Sequence, residues 1–210
     1  MDWYRKTSWG KEDQQDFEER LARSRSQRTQ YIKIQASYLE GTKKRKLALP
    51  AIQLVDQYLE EDPGGFFEVQ AYLIRARALV TLKDFEGAVA SYQKAVKLEA
   101  ASSGGNRSCA YLDYALFVAR NNLHDCFEDV HEALEQMEEM DLIFPVSQLK
   151  FFGSLAIFLD RSGDSVEAKR MASMALSAIE KPSPFSRHPE AGVVQGVDGK
   201  FLKRLCKIAA

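Results

Sequence analysis

Apolar residues recur at spacings of three and four along most of this chain, with polar residues between them. That spacing is the signature of amphipathic helices with one buried and one wet face. The runs are separated by Gly41-Thr42, Asp62-Pro63-Gly64-Gly65, Ser102-Ser103-Gly104-Gly105-Asn106, Asn121-Asn122, Phe144-Pro145, Ser162-Gly163-Asp164 and Pro182-Ser183-Pro184, all of which punctuate structure. The pattern predicts helices over 11–26, 28–41, 44–61, 66–82, 84–99, 107–121, 124–140, 146–162, 164–180 and 198–208. No stretch alternates apolar and polar with enrichment in Val, Ile or Thr, so no sheet is expected. Asp84 and Asp164 stand where an N-cap must accept a backbone N–H, and Glu167 completes a capping-box spacing after Asp164. The expected class is all-α, built from antiparallel helix hairpins.

The chain also repeats itself. Tyr72, Ala76, Leu79, Ala88, Tyr92 and Ala95 recur 80 positions later, with the same gaps, as Phe152, Ala156, Leu159, Ala168, Ala172 and Ala175. Each set lines a first helix with large, small and large residues, passes a turn (Lys83-Asp84-Phe85 or Gly163-Asp164-Ser165), then places small residues on a second helix. Two helices that cross closely need alanine where their backbones approach and a bulky side chain filling the space beside it.

These residues resemble the tetratricopeptide repeat (TPR), a helix-turn-helix unit of about 34 residues. Tyr72 to Leu98 is the nearest match, and the unit around Ala156 and Ala168 follows it, with Ala172 where a large aromatic is usual. Ala51, Val55, Tyr58 and Pro63 fit the second helix of an earlier, degenerate unit that has Leu39 at a small-residue position. Tyr114, Phe117, Cys126, Val130 and Ala133 fit another, its extra length assigned to Ser102–Arg107 and Leu142–Ser147. Asp2-Trp3-Tyr4-Arg5-Lys6-Thr7 is similar to the opening of some uncharacterised bacterial TPR-like proteins. The resemblance implies a right-handed TPR-like solenoid within a single domain, 1–210. Residues 1–27 would form an N-terminal capping arm and helix, 28–182 about four hairpins, and 183–210 a loop with a C-terminal capping helix. Trp3, Tyr4, Trp9, Phe17 and Leu21 suit the first cap, and Phe201, Leu202, Leu205 and Ile208 the second, because a solenoid end exposes apolar surface. Trp3 and Trp9 could instead anchor a partner.

Composition narrows the class further. The 210 residues are 45% hydrophobic and 28% charged, ordinary values for a folded chain. With 29 Lys+Arg against 30 Asp+Glu, the chain as a whole is not built to coat nucleic acid or an anionic membrane. Three separated cysteines, Cys109, Cys126 and Cys206, suit a reducing compartment. Met1–Lys11 lacks the apolar core of a signal peptide, and Phe151–Leu159 is about half the length of a membrane span. A cytoplasmic protein is expected.

Chemistry is sparse. His124, Glu128, His131, Glu132 and Glu135 share one predicted helix, and Glu128-x-x-His131 has the spacing of di-iron bundles, but no second Glu-x-x-His completes it. A metal-dependent enzyme around His124, Glu128 and His131 is the lesser alternative. No phosphate-binding glycine loop, HExxH or GxSxG motif is present. Neither catalysis nor a cofactor nor a metal is expected. Local charge is uneven: Arg20, Arg23, Arg25, Arg28 and Lys43–Lys46 make a basic N-terminal region, whereas residues 121–142 carry eight carboxylates and neither Lys nor Arg. The basic region is the basis of a second alternative, a nucleic-acid-associated regulator, although stacking aromatics are not interleaved with it.

In TPR proteins the first helices of successive units line a concave groove that binds peptides or helices. Carried over to this sequence, the groove positions are Lys33, Ala36, Glu40, Gln70, Leu73, Arg77, Thr81, Ser108, Tyr111, Ala115, Val118, Lys150, Ile157 and Arg161. Lys33, Gln70, Arg77, Tyr111, Lys150 and Arg161 are the candidate partner-binding set, and its cations imply a peptide partner with acidic groups. The Lys/Asn carboxylate-clamp pattern of the family is not reproduced. The expected function is a non-catalytic protein–protein interaction module or adaptor, and reversing the charge of Arg77 and Lys150 should weaken capture without lowering stability.

Overall fold

The computed structural model describes residues 2–102, 107–135 and 137–210. Among them are ten α-helices and no strand: α1 Lys11–Arg23, α2 Arg28–Gly41, α3 Arg45–Glu61, α4 Glu68–Leu82, α5 Phe85–Ala101, α6 Ala110–Asn121, α7 Phe127–Leu134, α8 Pro145–Ser162, α9 Ser165–Ile179 and α10 Gly199–Ala209. The chain divides into two compact units, Met1–Ala110 and Tyr111–Ala210. The Gly104-Gly105 linker lies outside the described residues. Among the described residues no helix is long and apolar enough to cross a membrane.

In the first unit, α2 packs on α3, α3 on α4 and α4 on α5. The contacts fall on small residues, as the spacing requires: Ala36, Ala51, Ala71, Ala76, Ala78, Ala88 and Ala95 are fully buried. Tyr58 fills the space beside them, and burial pushes its hydroxyl up to about 12. The arm before α1 folds back on α2. Lys6 N–H donates to Gln35 Oε1 at 3.0 Å, and Gln35 Nε2 donates to the Lys6 carbonyl at 2.8 Å. Trp3 lies 5.4 Å from Phe17 and 5.0 Å from Tyr31 between ring centroids, and Trp9 lies 5.3 Å from Phe17. Both tryptophans therefore cover their own unit.

In the second unit, α8 and α9 form the tightest hairpin, again on alanines: Ala156, Ala168, Ala172, Ala175 and Ala178. α10 lies across both helices and inserts Phe201 and Leu205 into this core. Gly153 makes room for it, because a Cβ there would stand 2.7 Å from Phe201 Cζ. The ring beside Gly153 is thus supplied by α10, from 48 positions further along the chain, a contribution that periodicity does not reveal.

The two hairpin turns match. Lys83 and Gly163 both close a helix in the left-handed region, at φ 68° and 90°. Asp84 and Asp164 then accept the Gly87 and Glu167 N–H groups at 2.9 and 3.1 Å.

The expected helix 124–140 is not continuous. A 3₁₀ turn, His124–Cys126, precedes α7, and a second, Glu139–Leu142, follows it. Two forces break the helix. A continuous one would stack Glu128, Glu132, Glu135 and Glu139 along one face, each like-charged pair costing a few tenths of a kcal/mol. In addition, Asp141 turns inward, 8% exposed, and accepts hydrogen bonds from Tyr111 Oη at 2.9 Å and the Glu138 N–H at 3.0 Å. The eighth carboxylate of the acidic series is thus internal.

Candidate functional site

The first helices of the hairpins bring the candidate residues together in pairs. In the first unit, Lys33 Nζ on α2 donates to Gln70 Oε1 on α4 at 3.1 Å, and about two helical turns further on, Arg77 Nε lies 3.2 Å from Glu40 Oε2. In the second unit, Lys150 on α8 pairs with Asp113 on α6. All three pairs span 37 residues. Positions 33 and 70 also map onto 113 and 150 by the 80-residue offset of the repeat, so the same register holds a polar bridge in both units.

The bridges differ in charge. Arg77 is matched by Glu40, which is only 11% exposed, and Lys150 by Asp113, which is 17% exposed. Reversing either cation would set two half-buried carboxylates face to face. The expectation that such reversals leave stability unchanged is therefore corrected. Lys33 is different. Its ammonium is half-buried, sits 3.9 Å from the centre of the Phe67 ring and meets an amide oxygen rather than a carboxylate. Burial holds its pKa below the ordinary lysine value, and no neighbouring charge opposes that shift. Among the described residues it has no ion-pair partner.

Other candidates are placed less openly. Tyr111, 1% exposed, donates to Asp141 and offers no free surface. The Arg161 guanidinium lies 5.5 Å from the Phe127 ring centre, exposed at the end of α8. Ala36, Leu73, Ala115, Val118 and Ile157 are buried between helices rather than lining an open face. His124, Glu128, His131, Glu132 and Glu135 are all exposed, and among the described residues no group of three or more His, Cys, Asp or Glu side chains converges as a metal site would require. The basic N-terminal region is partly neutralised, with Arg20 on Asp16 at 2.6 Å and Arg28 forked onto Glu61 at 2.7 and 2.9 Å. Lys43–Lys46 stay exposed.

Two clefts lie on the hairpins and share two positions of the repeat register. One, of about 340 Å³, is lined by Asp56, Leu59, Tyr72, Arg75, Ala90 and Ser91. The other, of about 420 Å³, is lined by Phe152, Arg170, Ser173, Met174, Ser177 and Lys181. Tyr72 and Ala90 correspond to Phe152 and Arg170 under the 80-residue offset. Arg75, which the apolar pattern passed over, ties the first cleft together by donating to Asp56 Oδ1 and Ser91 Oγ, both at 2.9 Å. Phe66, 72% exposed beside Phe67, belongs to the predicted helix 66–82 but lies in the turn ahead of α4. The offset linking 33–70 to 113–150 was available in the sequence; the absence of a carboxylate at Lys33 was not.

No protein-family model matches this chain, and neither a curated protein nor a solved structure does.

Proposed function

We propose that the chain is a non-catalytic, TPR-like interaction module or adaptor of a bacterial-type cytoplasm that captures a peptide or helical segment of a protein partner. The surface we assign is the α2/α4 face of the first unit, bounded by Lys33, Gln70, Arg77 and Thr81. One observation carries the reading: α2 and α4 present a row of polar bridges, Lys33–Gln70 and Glu40–Arg77, above a sealed apolar layer of Ala36 and Leu73. Bridged side chains are already ordered, so little rotamer freedom is lost when an extended segment lies across them. Packing of α2, α3, α4 and α5 in chain order supports a solenoid reading of this unit, with the arm Trp3–Trp9 as its end cap.

The test is selection of peptides from a random displayed library on the purified full-length chain, followed by affinity measurement on Gln70→Glu/Thr81→Glu. Both positions are half-exposed and Gln70→Glu gives Lys33 a counter-charge, so the double variant should keep its melting temperature while repelling an acidic peptide. We expect selected peptides to bind at least roughly tenfold more weakly to it, a loss of about 1.4 kcal/mol. Undiminished binding would remove the assignment to this face.

A further inference from the structure

Comparing the two bridges at equivalent register shows which of them is complete. Asp113 and Lys150 neutralise each other, so that site has no net charge to offer. At the corresponding positions, Lys33 and Gln70 leave a full positive charge, partly removed from water. Desolvating a charge without a counter-charge costs free energy, and folded chains rarely keep such a lysine where a neutral side chain would serve. Lys33 has an apolar stem that could pack as methionine does, yet its charge is retained.

The surroundings define what would complete it. Of the three ammonium donors, one goes to Gln70 Oε1 and the Phe67 ring covers another side at 3.9 Å. Gln70 accepts through Oε1, which leaves its Nε2 as a second donor beside the ammonium. Gln70 also stands in the first turn of α4, where the helix dipole favours an anion. No second cation joins them, because Arg77 is engaged by Glu40. One ammonium and one amide suit the two oxygens and single charge of a carboxylate better than the doubly charged phosphate, which favours an arginine fork. Beside this pair, Phe66 presents its ring to solvent at 72% exposure, packed edge-on to Phe67 at 4.9 Å.

We propose that Lys33, Gln70 and Phe67 form a carboxylate subsite, and that its occupant is an acidic residue of a partner peptide whose neighbouring apolar side chain rests on Phe66. The proposal rests on the α2/α4 face being the binding surface. The charge complementarity that selects this occupant is the uncompensated ammonium itself; the neutralised bridge at Asp113–Lys150 makes the internal control.

The experiment uses the full-length chain with ¹³C-labelled lysine and two blocked hexapeptides, acetyl-Gly-Ser-Asp-Leu-Ser-Gly-amide and its Asn counterpart. The Lys33 Hε/Cε resonance is followed by NMR through millimolar titrations and identified with Lys33→Met. We expect the Asp peptide to move Lys33 saturably, with the Asn peptide roughly tenfold weaker, as loss of a charge-assisted pair implies. Lys33→Met should abolish that preference, read from line broadening of the peptides' own resonances, and Lys150 should not move in the parent chain. Equal binding of both peptides, with equal saturable shifts at Lys33, would overturn the carboxylate subsite and leave the face intact as a docking surface. No movement of Lys33 with either peptide would also overturn the subsite, while library-selected peptides then judge the face independently. Saturation of Lys33 by inorganic phosphate at the same concentrations would overturn the preference for a carboxylate.

Discussion

Hairpins α4/α5 and α8/α9 share the spacing of their alanines, a left-handed helix end and an aspartate cap, yet their outer surfaces are completed by different means. α4 carries Leu73, 4% exposed, and packs against the preceding helices α2 and α3. At the matching position α8 carries Gly153, and the side chain that fills the space is Phe201, contributed by α10. A repeat conserves the contact between its own two helices, because backbone approach there tolerates only small residues. The residue facing outward answers to whatever neighbour the chain supplies, so it changes.

The sharpest way to break this comparison is Phe201→Ala. It removes the ring that substitutes for a repeat neighbour, and we expect a loss of about 3–5 kcal/mol in urea unfolding monitored by circular dichroism. A loss below about 1 kcal/mol would mean that α10 is an accessory to the second unit. Gly153→Leu, which installs the residue of position 73, should cost about 1–3 kcal/mol by forcing Phe201 out of its place. Amide hydrogen exchange should show α10 losing protection before α8 and α9 do.

The turns give a smaller and signed test. Lys83 holds φ 68°, a region glycine enters without strain, whereas Gly163 is already glycine. Lys83→Gly should stabilise by about 1 kcal/mol, and Gly163→Ala should destabilise by a similar amount, both read from chemical melts. Opposite signs at equivalent positions are the point; like signs would show that the two turns are not equivalent.

The smallest expected effects separate the two bridges. Asp113→Asn strips the counter-charge from Lys150 and should cost about 1 kcal/mol. Lys33→Met removes a charge that has no counter-charge and, after solvent screening of this half-exposed group, should raise stability by no more than a few tenths of a kcal/mol. Because burial lowers the folded-state pKa of Lys33 below 10.5, its protonated form opposes folding below that pKa. The penalty fades as pH climbs from the folded value towards 10.5. Loss of this alkaline gain in Lys33→Met, measured by melting temperature against pH, checks the sign. A site kept charged at some expense in stability is what binding would demand.

Several of these features are legible in the sequence alone. The helical segments were visible because each buries one face and therefore repeats at 3.6 residues, and the close crossings were visible because only alanine fits them. Asp84 and Asp164 were readable as caps from spacing alone. The acidic segment 124–140 misled because periodicity registers its apolar side, Val130, Ala133 and Leu134, but not the inward turn of Asp141 towards Tyr111, which comes from a different helix. Arg75 escaped notice because its partners, Asp56 and Ser91, lie on two other helices. The candidate site was half legible: its register could be counted out, but its charge balance could not.

The amino-acid order by itself determined that this chain forms helices, where most of them start and stop, and which faces must be dry. These are local matters, settled by dihedral preference, capping and side-chain period within a turn or two. Only the tertiary structure decided that Arg77 and Lys150 are satisfied and Lys33 is not, that α10 completes the α8/α9 hairpin, and that Asp141 is internal. Each depends on residues at least thirty positions apart meeting within hydrogen-bond or van der Waals distance, and the balance of charge and desolvation at such meetings has no period along the chain.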